Sequence, residues 1–304
     1  AHNSPMWTAL TDSLCDLGES PFWHPQERSL YWLDIAGCQV LRTRGPIGAG
    51  VQVERWPLPQ APGCMAPARR GGLVIALRDG IYRARTWGGP LARMAAAAHD
   101  GATMRFNDGK CDPLGRFWAG SINEAKTGRN AALYCLDPRA AGAALEPKAG
   151  DAMTANGLAF GAGTLYWTDT PSHTIRTYPW EPEANRLGPP RAWRRFDAKQ
   201  EGAPYGGRPD GATLDAQGRY WVAMYEGAQV LCLDGAGGGT LAALPVPVQC
   251  PTMPCFGGDD LRTLFVTSAR KGRPADELAR QPDAGRVLMQ RVEAAGRPVD
   301  FFDD

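Results

Sequence analysis

One kind of segment recurs six times along the chain: a short apolar or aromatic run entered through a turn. The copies are Ser29-Leu-Tyr-Trp-Leu-Asp34, Gly72-Leu-Val-Ile-Ala-Leu77, Gly115-Arg-Phe-Trp-Ala-Gly120, Gly163-Thr-Leu-Tyr-Trp-Thr-Asp169, Gly218-Arg-Tyr-Trp-Val-Ala223 and Arg262-Thr-Leu-Phe-Val-Thr267. Their spacing, from the low forties to the mid fifties of residues, is the period of a propeller blade. A second apolar segment follows each: Gln39–Arg42, Gly80–Arg83, Ala132–Cys135, Thr174–Thr177, Gln229–Cys232 and Arg286–Met289. Turn residues such as Asp79-Gly80 and Glu226-Gly227 separate the two, which is hairpin grammar. A third, weaker strand is expected at Val51–Leu58, Pro190–Phe196 and Thr240–Val246. Stacking such sheets around an axis covers both faces of each. A β-sandwich is the competing all-β packing, but six repeats predict an all-β, six-bladed β-propeller. Residues 1–304 are read as one domain, closed by an N-terminal strand near Trp7–Leu14 that joins the last blade.

Composition fits this reading. Glycine and proline total 63 of 304 residues, which in a polar chain would point to disorder. With 43% hydrophobic residues and ten tryptophans, the same content instead means many short strands joined by many turns. A net charge of +1 with scattered basic residues predicts no nucleic-acid partner. No apolar run reaches the 18 or more residues needed to span a bilayer, so no membrane partner is expected. None of the eight cysteines forms a C-x-x-C pair, so they are read as free thiols of a cytoplasmic protein. No basic-then-apolar leader is visible, and the Ala-His-Asn-Ser-Pro that precedes Met6 is read as foreign to the native chain.

The chemistry lies upstream of the repeats. Asn107, Asn156 and Asp210 each stand 11 positions before Trp118, Trp167 and Trp221, and Gly63 stands 11 before Val74. Glu19 and Thr252 stand 13 before Trp32 and Phe265. All six occupy the slot where the chain enters a blade. Innermost strands line the channel of a propeller, so these slots converge on its axis. Asn107-Asp-Gly109, Asn156-Gly157 and Asp210-Gly211 each carry a glycine close behind the slot, suited to unusual backbone angles or close approach. An isolated Asn-Gly or Asp-Gly is usually only a hairpin turn. Four polar residues at matching positions, Glu19, Asn107, Asn156 and Asp210, instead make an all-oxygen set suited to a hard divalent cation. The four histidines, His2, His24, His99 and His173, miss every slot, which disfavours a histidine-rich zinc site.

These residues resemble the family of senescence marker protein, regucalcin and bacterial gluconolactonases. The resemblance runs from Leu17-Gly-Glu-Ser-Pro21 to Thr267-Ser-Ala-Arg270. Its most specific pieces are Arg105-Phe-Asn-Asp-Gly-Lys110 with Asp112-Pro113, Asn156-Gly-Leu158, Pro209-Asp-Gly211 and Cys255-Phe-Gly-Gly258. It implies a six-bladed propeller holding one divalent metal ion through Glu19, Asn156 and Asp210, with substrate contacts from Arg105 and Asn107. Ca²⁺ is the expected ion, with Zn²⁺, Mn²⁺, Mg²⁺ and Fe²⁺ as alternatives. One departure stands out. Some members carry a substrate-binding Glu where this chain has Ala125, and Glu124 is read as its substitute.

The expected activity is hydrolysis of a sugar lactone, a cyclic ester, to its aldonic acid. A metal polarises the carbonyl and activates water; Asp210, ligand and carboxylate, is read as the base. No Gly-x-Ser-x-Gly elbow is present, which argues against a covalent serine mechanism. The alternatives are a non-enzymatic calcium-binding regulator and another metal-dependent esterase such as a phosphotriesterase. Arg105 beside the metal slots favours the enzyme, since an ion buffer needs no sugar clamp. The protein is expected to work as a monomer or weak homo-oligomer.

Overall fold

A computed structural model describes residues 6–304, so the expectation for residues 1–5 lies outside the described residues. The strands form six antiparallel sheets, five of them meanders in sequence order and the sixth completed by a strand from the N-terminus. The inner strands are Gly18–His24, Cys64–Pro67, Met104–Cys111, Ala155–Gly161, Arg208–Leu214 and Pro251–Gly257. The six aromatic segments supply the second strands: Ser29–Asp34, Leu73–Leu77, Phe117–Asn123, Thr164–Asp169, Tyr220–Tyr225 and Thr263–Ser268. Each inner strand packs beside the next, and the sixth packs beside the first. The sheets are therefore six blades of one closed ring.

Closure uses both chain ends. Thr8 pairs with Met289 and Ala9 with Leu288, so an N-terminal strand forms the outer edge of blade six, shorter than the expected Trp7–Leu14. The third strand of that blade is Leu288–Arg291, two residues later than expected. Arg286 instead belongs to a turn: its N–H donates to Asp283 O and its carbonyl accepts from Ser268 Oγ at 2.6 Å. One short α-helix, Ala275–Arg280, interrupts this blade. The C-terminal segment then crosses to blade two, where Phe302 N donates to Pro67 O and Arg69 N to Phe302 O, both at 2.8 Å. Phe302 is fully buried between blades two and three.

The core is divided among six interfaces, each made by two neighbouring blades. Trp32, Trp118 and Trp167 of the second strands are completely buried there. Truncating any such side chain to alanine would cost about 3–5 kcal/mol. All eight cysteines are free, and seven are buried.

The turn from inner to second strand has a repeated cause. In Asp112-Pro-Leu-Gly-Arg116 the buried carboxylate accepts from Leu114 N, Arg116 N, Arg116 Nε at 2.6 Å and Trp118 Nε1 at 2.8 Å. Asp215 does the same for Gln217, Arg219 and Trp221 two blades later. One side chain thus closes the turn and fixes the orientation of the core tryptophan.

Candidate active site

Five inner strands break register within a few residues of the slot, between Glu19 and Phe22, Phe106 and Gly109, Asn156 and Ala159, Pro209 and Ala212, and Pro251 and Met253. A bulge re-aims side chains that a regular strand would turn into the sheet. Gly157 shows why glycine follows a slot. Its φ is +60°, and a Cβ there would lie 2.4 Å from Thr168 Oγ1 and Tyr220 OH. Gly63, the slot of blade two, brings no ligand: a Cβ there would meet the Phe106 backbone at 2.4 Å, so its smallness lets blade three carry Asn107 inward. Thr252, the slot of blade six, is likewise turned away. Its hydroxyl donates to Gly18 O at 2.5 Å and meets Thr267 Oγ1 at 2.7 Å.

The other four slots converge. Glu19, Asn107, Asn156 and Asp210 are all buried. Glu19 and Asp210 are in direct contact. Burial, the Asp210 charge and nearby Asp108 hold Glu19 well above the usual carboxylate range. Burial, followed by the opposing hydrogen-bond contact with Glu19 and the Asp108 charge, leaves Asp210 pushed up to about 7. Asp210 Oδ1 is buried without a hydrogen-bond partner among the described residues. Asn107 Nδ2 donates to Ala155 O at 2.8 Å and to Asn156 Oδ1 at 3.2 Å. Asn156 Nδ2 donates to Thr170 Oγ1 at 2.7 Å, which turns Oδ1 the other way.

Two carboxyl groups buried in contact, with an orphaned carboxylate oxygen and an oriented amide oxygen, are what an oxygen-ligated divalent cation would satisfy. Glu19, Asn156 and Asp210 fit such an ion. Among the described residues no three His, Cys, Asp or Glu side chains form a metal cluster; the third oxygen here comes from an amide.

Arg105 joins the network from the side. Its Nη1 donates to Asn107 Oδ1 and Phe106 O, both at 2.9 Å, and its Nε to Glu124 Oε2 at 3.2 Å. Glu124 Oε1 pairs with Arg78 Nη1 at 2.8 Å. Burial would raise Glu124, but the two arginines hold it below its ordinary value. Glu124 is thus tied to guanidinium groups.

Three residues of this constellation escaped the sequence reading. Thr170 accepts from Asn156 and donates to Pro209 O at 2.8 Å, joining the ligand strands of blades four and five. Asp108 is buried in the channel, with Oδ2 accepting from Leu158 N at 3.0 Å. Arg78 follows the second strand of blade two. Asp108 stands inside the quoted Arg105–Lys110 motif, and its adjacency to the slot was the available signal. Thr170 and Arg78 lie between slots and carry none. A separate cavity of 410 Å³ lies at the other end of the channel, lined by the downstream ends of the inner strands and by Arg297–Asp300. It contains none of the slot carboxylates.

Comparison with known proteins agrees with this fold. The family model described as SMP-30/Gluconolactonase/LRE-like region matches residues 17–270. A 6-deoxy-6-sulfogluconolactonase of Pseudomonas putida is 39% identical over 288 residues, covering 94% of each chain. Regucalcin of Gallus gallus is 32% identical over 280 residues, covering 90% of this chain and 89% of its own. Among solved structures, a calcium-binding regucalcin from Agrobacterium tumefaciens superposes with a TM-score of 0.88 at 24% identity, covering 98% of both chains. A gluconolactonase from Xanthomonas campestris superposes with a TM-score of 0.71 at 23% identity, covering 94% of this chain and 89% of its own. With a family model matched over residues 17–270 and a relative 39% identical along nearly its whole length, this six-bladed chain belongs to the SMP-30/gluconolactonase/LRE-like family.

Proposed function

We propose that this protein is a sugar lactonase that opens an aldonolactone to its aldonic acid with the help of one divalent cation. The observation that carries the reading is the contact of two buried carboxylates, Glu19 and Asp210, beside the oriented amide of Asn156 and next to the Arg105–Asn107 pair. A calcium-binding relative and a relative that acts on a sulfonated gluconolactone support it. Ca²⁺ is the preferred ion, since every ligand is a hard oxygen.

A bound divalent cation supplies Lewis acidity and the positive charge that keeps both carboxylates ionised. The chain does the rest. Arg105 and Asn107 hold the lactone's oxygens and orient its carbonyl carbon toward water. Asp210 takes a proton as water oxygen bonds to that carbon. The ring C–O bond breaks, and the proton passes to the departing ring oxygen, leaving a carboxylic acid and a free hydroxyl. Burial of Arg105 behind Glu124 keeps its fork rigid, so little freedom is lost on binding.

The test is chelation followed by restoration. Hydrolysis of gluconolactone and related aldonolactones should vanish in metal-stripped protein and return with Ca²⁺, Mn²⁺ or Zn²⁺. Full activity in protein shown to be metal-free would sink the reading. Tight Ca²⁺ binding with no hydrolysis of any lactone or ester would favour a calcium-binding regulator instead.

A further inference from the structure

Two arginines share one carboxylate at the entrance to the candidate site. Glu124 Oε1 lies 2.8 Å from Arg78 Nη1, and Glu124 Oε2 lies 3.2 Å from Arg105 Nε. The array carries one net positive charge. Nearer the axis, Glu19 and Asp210 oppose a divalent cation once the site is loaded, and buried Asp108 opposes Lys110.

The two arginines face different ways. Arg105 has 9% of its side chain exposed and is committed inward, to Asn107 Oδ1 and Phe106 O. Arg78 has 31% exposed. Among the described residues, its hydrogen bonds leave from Nη1, to Gly101 O at 2.9 Å and Met104 O at 3.1 Å, and the same nitrogen meets Glu124. The edge formed by Nε and Nη2 remains for a further acceptor. That edge is a planar fork, the geometry that carboxylate, sulfonate and phosphate oxygens satisfy in pairs. It stands across one carboxylate from the guanidinium assigned to the reacting end of the substrate.

We propose that Arg78 is a specificity-determining residue, and that the Arg78–Glu124–Arg105 array selects lactones carrying an anionic group away from the reacting carbonyl. The inference rests on the lactonase reading. Arg105 addresses the lactone ring; Arg78 addresses the distal anion; Glu124 spaces the two and prevents their mutual repulsion. A neutral lactone leaves the positive charge of the array unmatched.

The test compares gluconolactone with analogues whose C6 carries a carboxylate, a phosphate or a sulfonate, using metal-loaded enzyme. The wild type should favour an anionic lactone by about 10-fold or more in kcat/KM at low salt. The preference should shrink as salt is added. Arg78→Met should bring the ratio of anionic to neutral kcat/KM close to one, and Arg78→Lys should restore part of it. Glu124→Gln, which leaves both arginines unneutralised, should raise the ratio. A wild-type ratio of one or less overturns the proposal. So does an equal loss toward both lactones in Arg78→Met with an unmoved ratio in Glu124→Gln, because Arg78 then only braces the carbonyls of Gly101 and Met104. If no lactone of either kind is opened with any metal, the lactonase reading has failed, and this inference falls with it.

Discussion

Thr170→Val isolates the groups that orient a ligand from the ligand itself. Valine copies the shape of threonine and removes one hydroxyl. That hydroxyl accepts from Asn156 Nδ2 at 2.7 Å and donates to Pro209 O at 2.8 Å, and Thr170 is buried. The substitution orphans two buried polar groups. Each unmet partner costs about 1–3 kcal/mol, and removing the hydroxyl's own desolvation offsets part of this, so a net stability loss of about 1–3 kcal/mol is expected. The larger effect falls on the cation. With Nδ2 released, the Asn156 amide can present its NH₂ group toward the axis, where a cation repels it. Partners that orient metal ligands typically contribute 10- to 100-fold in affinity. Titration calorimetry of Ca²⁺ into stripped protein should therefore show a Kd raised by about 10- to 100-fold. Thr170→Ser, which keeps the hydroxyl, should restore most of it. If Thr170→Val unfolds at lower denaturant yet binds Ca²⁺ within about twofold of wild type, the argument is refuted. The contact of Asn107 with Asn156 Oδ1 would then suffice to hold the amide.

Asp210→Asn should reduce turnover at saturating metal by about 100- to 10,000-fold if Asp210 is the base; a wild-type rate would leave it only a ligand. The same variant reports on pH. Because folding raises Asp210 from 3.8 to about 7, the metal-free folded protein holds more protons than the unfolded chain in that window, and its stability falls as pH rises through it. Stripped Asp210→Asn should therefore gain stability over stripped wild type as pH rises from about 4 to 8, by about 2–4 kcal/mol in denaturant unfolding, whereas a constant difference would contradict the desolvation of the Asp210 carboxylate by burial. Asp112→Ala removes the acceptor for Arg116, Trp118 and two backbone N–H groups at once, and should cost about 3–5 kcal/mol with no specific effect on metal affinity in the folded fraction. A loss below about 1 kcal/mol would mean that the turn closes without it.

The blades were legible because their signal is local and repeated. A second strand needs an aromatic run behind a turn, and six such runs at blade spacing leave one closed arrangement. Blade six blurred where Arg286 enters a local turn with Asp283 that Ser268, 18 residues away, holds in place, a combination that no periodicity encodes. The site was legible in its slots for the same reason: repetition distinguished Glu19, Asn107, Asn156 and Asp210 from ordinary turns. Repetition also misjudges individual slots. Gly63 and Thr252 hold equivalent positions, yet one clears space for a neighbouring blade and the other bonds to Gly18. The orienting groups were invisible because they lie between the slots and act both within and across blades: Thr170 holds the Asn156 amide of its own blade. Thr170 of blade four reaches the carbonyl beside Asp210 in blade five, and Arg78 of blade two reaches Glu124 in blade three. A repeat pattern predicts what each blade offers to the axis. Which offers become ligands is decided by groups outside the slots: the Thr170 hydroxyl fixes the Asn156 amide within blade four and ties it to blade five, and the Arg78 guanidinium of blade two fixes Glu124 of blade three.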